Sequence, residues 1–202
     1  FELYGTGKAV CFYLGTKILT KSGEISIERI NIGDLVVTTK GLLPVKWVAK
    51  RTISNLMVPV EFFESSLPVL IESNSLGCGV PSRDLLVSEN HGISADGKVV
   101  NAYFLINGIN IRKTRTSDFR GDIRYFHLEF EDEVFVYANN TMACSYVNAG
   151  NRRGFDNYPQ FVSLYGNADL TVRSRMRTPP RNKPTMKGYK DRVMRAWRPL
   201  SV

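Results

Sequence analysis

The stretch CFYLGTKILT, Cys11 to Thr20, decides the reading of this chain together with SENH, Ser88 to His91. The first opens on a cysteine, runs apolar, breaks at a Gly-Thr turn and resumes as a second apolar run, the pattern of two short strands. The second ends the apolar run DLLV in a short S-x-x-H. The chain has three cysteines and two histidines. A Cys–His pair that opens one strand and ends another points to acyl chemistry, because it joins a nucleophilic thiol to a group that titrates near neutrality.

Working outward, the body reads as strands throughout. KSGEISIERI, GDLVVTT, LLPVKWVAKRTI, PVLIES, DLLVSE, KVVNAYFLI, INIRKT, IRYFHLEFE and EVFVYANN are β-branched and aromatic-rich, and Gly, Asn, Asp or Ser separates them. No long amphipathic helix interrupts them before residue 180. An all-β fold of many short strands follows, not alternating βαβ units. Residues 149–172 are aromatic and turn-rich and are expected to pack back on that body. RTPPRNKP, with three prolines, reads as an extended linker. Beyond it Tyr189, Val193 and Trp197 form one helical stripe on a basic background, which predicts a helix over 187–198.

At 202 residues, with 43% hydrophobic and 23% charged residues, the chain can bury one core. No apolar run is long enough for a membrane span. FELYGTGKAV has neither a Met start nor the pattern of a signal peptide, so the chain is expected to be a piece of something longer. Cys11, Cys78 and Cys144 are odd in number and widely spaced, which is no disulfide framework and no C-x-x-C metal spacing. At least one thiol is expected to be free, and Cys78, in the Gly-flanked loop LGCGVP, to be inert. The net charge of +8 is concentrated at one end. Arg173, Arg175, Arg177, Arg181, Lys183, Lys187, Lys190, Arg192, Arg195 and Arg198 face one acid, Asp191, while residues 1–172 carry 17 basic and 18 acidic side chains. The tail fits a docked helix with solvated charges, or a binding surface for nucleic acid or another anionic partner.

CFYLGTKILT, ISIERINIGDLVVT, VKWVAKRTI, GVPSRDLLVSENHGIS, AYFLING and YFHLEFEDEVFVYANN, in this order, resemble the Hint fold of hedgehog autoprocessing domains and inteins, and most of all its bacterial subtype. The resemblance covers about Val10 to Asn157. It implies a horseshoe of short strands at 11–157, an upstream flanking segment at 1–10 and a C-terminal extension at 158–202. It also implies a self-directed reaction in which Cys11 attacks the Val10 carbonyl and converts the peptide bond to a thioester. His91 matches the histidine that hydrogen-bonds the scissile amide, and Ser88 matches its orienting partner. His127 lies where inteins usually carry an aspartate. Inteins finish with His-Asn, whereas this chain reads NNTMACSYVNAG, so N-terminal cleavage without splicing is expected. The thioester would pass to water, a small thiol or an amine. Glu133 and Cys144 depart from the subtype, which tends to have histidine and glutamate there. Glu133 could act as base in the second step, and Cys144 as a second thiol or a buried structural cysteine.

Other readings stay open. Taken singly, Cys11, His91 and His127 each fit an ordinary core position. A conventional hydrolase would pair Cys11 and His91 with Asp84, Glu89 or Asp132. A zinc ion on Cys11, His91 and His127 is permitted by ligand type but is not expected for activity, which needs no cofactor. A non-catalytic β-rich module acting through its basic tail is the alternative to any enzyme.

Overall fold

The computed structural model describes residues 10–147 and 150–166. The chain forms β1 (Phe12–Tyr13), β2 (Lys17–Thr20), β3 (Gly23–Ser26), β4 (Leu35–Thr38), β5 (Gly41–Pro44), β6 (Trp47–Ile53), α1 (Val60–Ser65), β7 (Val69–Ile71), β8 (Leu85–Val87), β9 (Gly92–Ala95), β10 (Lys98–Asn101), β11 (Ile111–Lys113), β12 (Ile123–Glu129), β13 (Phe135–Ala138), β14 (Thr141–Cys144) and α2 (Tyr158–Tyr165). All the strand pairs are antiparallel. One sheet runs β11-β7-β8-β1-β12-β6, and the other β10-β9-β14-β13-β2-β4-β5 with β3 beside β2. The all-β architecture read from the sequence is the observed one.

Strand alternation divides most of the apolar side chains into two large clusters, with Leu19, Val37 and Tyr137 forming a small third one. Phe12, Val87, Phe126 and Leu128 point to one side and pack with Ile18, Val36, Ile93 and Val136 of the second sheet. On the other side Trp47, Ala49, Ile53, Ile123 and Tyr125 pack with Phe63 of α1, Leu67, Tyr146, Phe155 and Phe161, and Cys11 belongs to this second cluster. Segment 150–166 lies against this cluster. Phe161 of α2 packs its ring 5.1 Å from Trp47. Pro159 in the first turn and Gly166, at φ 68°, bound that helix.

Three details differ from the sequence reading. AYFL, read as strand, is a 3-10 turn at Ala102–Leu105, because loop 89–91 claims its backbone. The Ala102 N–H donates to the His91 carbonyl and the Tyr103 N–H to the Glu89 carbonyl. IER at Ile27–Arg29 is likewise a 3-10 turn that ends the β3 ribbon. The strand TMAC, β14, was not anticipated and follows a two-residue hairpin. Asn139 and Asn140, at φ 45° and 67°, supply the left-handed turn that such a hairpin requires. The helix expected at 187–198 lies outside the described residues.

Candidate active site

β1 is two residues long and lies between β8 and β12. Phe12 faces Val87 on one flank and Phe126 on the other, and Tyr13 faces Tyr125. Continuing both registers by one residue sets Cys11 between Ser88 and His127. On the Ser88 flank the contact is reciprocal. The Cys11 N–H donates to Ser88 Oγ at 2.8 Å, and the Ser88 N–H donates to the Cys11 carbonyl at 2.9 Å. The amide that joins Val10 to Cys11 is thus gripped by the serine of S-x-x-H.

The same motif turns His91 inward. Its N–H donates to the Ser88 carbonyl at 3.0 Å, closing a tight turn. The ring is fully buried between Phe12, 4.1 Å away centroid to centroid, and His127 at 5.0 Å. His91 Nε2 lies 3.2 Å from the Cys144 carbonyl, which can only accept, so Nε2 carries the proton and Nδ1 is the basic nitrogen. His127 is also fully buried, edge-on to Phe12 and Tyr146 at 5.6 Å from each. Its Nδ1 accepts the Leu128 N–H at 3.1 Å, so its proton sits on Nε2. His91 Nδ1 and His127 Nε2 are buried without a hydrogen-bond partner among the described residues. One is an acceptor and the other a donor.

Burial sets the electrostatics. It lowers the His91 pKa to about 4, with the nearby backbone of Cys11 and the Cys144 carbonyl pulling the other way. Burial lowers His127 well below the ordinary histidine value, and the nearby His91 adds to this. Both rings are neutral at pH 7. The Cys11 thiol is raised well above its ordinary value by burial, offset in part by the Arg51 charge. The site holds a neutral thiol and two neutral imidazoles.

The structure therefore brings Cys11, Ser88, His91 and His127 together, with half-buried Val10 next in the chain. Cys144 joins through its carbonyl, and all three cysteines are free thiols. Glu133 is half-buried ahead of β13. The carboxylates considered for a hydrolase triad are engaged elsewhere. Glu89 pairs with Lys113, Asp132 pairs with Lys40, and Asp84 accepts the Ser73 N–H. Among the described residues no three His, Cys, Asp or Glu side chains are placed to hold a metal ion. No described helix is long and apolar enough to cross a membrane. The basic residues Arg173 to Arg198 lie outside the described residues. Phe12, Tyr146 and Arg51 around the site escaped the sequence reading. Only alternation of Arg51 with Trp47, Ala49 and Ile53 signalled that it shares their face.

The profile of the family described as Hint domain matches residues 10–150, more than half of the chain. The chain belongs to the Hint domain family. Among solved structures this Hint domain is similar to the bacterial intein-like domain from Clostridium thermocellum, at 17% identity and TM-score 0.43 over 67% of this chain and 98% of that one. It is similar also to a DnaB intein from Synechocystis sp. PCC 6803, at 14% identity and TM-score 0.46 over 69% and 100%. A third likeness is to the gp41-1 intein, at 15% identity and TM-score 0.42 over 67% and 98%. No curated protein matches the sequence.

Proposed function

We propose that this Hint domain processes its own chain at the Val10–Cys11 bond. Cys11 Sγ attacks the Val10 carbonyl carbon, the C–N bond breaks, and the acyl group moves from nitrogen to sulfur. The thiol proton leaves to His91 Nδ1, the unprotonated ring nitrogen that is without a hydrogen-bond partner among the described residues. The departing Cys11 nitrogen then takes that same proton from the His91 imidazolium, while His127, whose free position is a protonated Nε2, donates a hydrogen bond to the developing negative charge. The step is an isomerisation and consumes no co-reactant. Attack through a five-membered ring removes the entropic cost of an encounter. Water, a small thiol or an amine then takes the acyl group, releasing the upstream segment and regenerating the Cys11 thiol.

The observation that carries this reading is the grip on the Cys11 amide by Ser88 Oγ, with the His91 ring turned in behind it by the same motif. The thiol is held in its neutral form by burial, so its proton has to leave as the S–C bond forms. The free Nδ1 of neutral His91 suits that demand, and His127 adds a free Nε2–H donor beside it. Cleavage without splicing is supported by the Asn139-Asn140 hairpin. The Asn139 side chain accepts the Lys17 N–H at 2.7 Å and donates to the Asp84 carbonyl at 2.8 Å, so it is committed to the turn.

The test is intact-mass spectrometry on a fusion with a reporter upstream of Phe1, incubated with and without dithiothreitol. The reporter is expected to come off with its new end at Val10, faster with thiol, and not at all in Cys11→Ala. Ser88→Ala leaves a buried N–H unpaired and is expected to slow release at least tenfold. A fusion that stays intact over days would sink the reading and leave a Hint fold acting only as a scaffold.

A further inference from the structure

The reaction proposed above, on which this inference rests, builds negative charge on Cys11 Sγ and on the Val10 oxygen within an apolar face. Two cations share that face, Arg152, which is committed to Glu129, and Arg51. In β6 the residues Trp47, Ala49 and Ile53 belong to the Cys11 cluster, and Arg51 alternates with them. Across the sheet Arg51 pairs with Tyr125, which pairs with Tyr13, one row from Cys11 and His127. Its guanidinium lies beside Gly154, where a Cβ would stand 3.9 Å from Nη1. Arg51 is half-buried, and its guanidinium makes no hydrogen bond or ion pair among the described residues. Three other arginines of the body are paired, Arg83 with Glu24, Arg112 with Asp118 and Arg152 with Glu129. The Arg51 charge favours the Cys11 thiolate, and it acts on buried Tyr125 in the same sense.

We propose that Arg51 is the charge-balancing cation of the Cys11 reaction, stabilising the negative charge that develops on Cys11 Sγ and then on the Val10 oxygen, while His91 moves the proton. A guanidinium suits the position because it stays charged and is weakly hydrated, so little desolvation opposes it. It acts through space and needs no bond to either atom.

The competing role is structural, the stem of Arg51 covering aromatic surface. The two roles predict opposite signs for thiol reactivity. Iodoacetamide alkylation of Cys11 at fixed pH, read by peptide mass spectrometry against exposed Cys78 in the same sample, separates them. If Arg51 supplies charge, Arg51→Gln lowers the Cys11 to Cys78 ratio about tenfold, the change of one pKa unit in thiolate fraction, and Arg51→Lys holds it within about threefold. If Arg51 only packs, Arg51→Gln loosens the face and leaves the ratio unchanged or raises it, which overturns the proposal. In the reporter fusion the release rate of Arg51→Gln is expected to fall by a similar factor, with Arg51→Lys restoring most of it. Release as fast as wild type in Arg51→Gln also overturns the proposal. A wild-type fusion that never releases its reporter sinks the self-processing reading, and the alkylation ratio still decides whether Arg51 acts on the thiol.

Discussion

His91 and His127 are the residues on which pH acts. Burial holds the His91 pKa at about 4, against about 6.5 in an unfolded chain. Unfolding therefore takes up a proton between these values, and stability is full above pH 6.5 and lost progressively as pH falls toward 4. The loss from His91 is about 3 kcal/mol, with His127 adding in the same direction. Because the rings are 5.0 Å apart, the titration belongs to the pair. Urea unfolding of Cys11→Ala, which keeps the chain uncut, is expected to show its midpoint falling between pH 6.5 and 4. His91→Gln should flatten that slope. A midpoint independent of pH in the parent would mean that the histidines are solvated in the folded state.

At the scale of elements, β9 and β14 meet at one glycine. A Cβ at Gly92 would stand 2.7 Å from Cys144 Sγ and 3.0 Å from Val99 Cγ1, closer than side chains tolerate. Gly92 follows His91, and Cys144 holds His91 by its carbonyl, so this contact also fixes the depth of the imidazole. Gly92→Ala is expected to cost about 1–3 kcal/mol by overpacking. Cys144→Ala should recover much of that, which a double-mutant cycle on urea midpoints would read as a coupling of about 1 kcal/mol. Additive effects would mean that the strands part without cost. The hairpin that joins β13 to β14 left a turn signal in Asn139-Asn140, although the strand beyond it was not read. The β9–β14 contact was not legible, because nothing in HGIS or TMAC says which strand lies beside which.

At the scale of the whole molecule, segment 150–166 packs Phe155 and Phe161 into the apolar cluster that holds Cys11. Arg152 holds Glu129 of β12 through both carboxylate oxygens, at 3.1 and 2.6 Å, and lies 4.2 Å from the Phe161 ring. The pair is almost wholly buried, so removing one partner strands a charge. Arg152→Met is expected to cost about 3–5 kcal/mol, and Glu129→Gln with Arg152→Met to cost less than Arg152→Met alone. Chemical denaturation of the two variants checks this. Equal losses would mean that the charge is already hydrated. Sequence by itself determined the strand character, the turns and the Cys11, Ser88 and His91 motif, because alternation, turn residues and an S-x-x-H are local properties of the chain. Only the tertiary structure decided that His127 stands across from Cys11, that Arg51 shares its face and that Arg152 lies against it. Those relations follow from strand register and sheet order, which arise from contacts between segments far apart in the sequence.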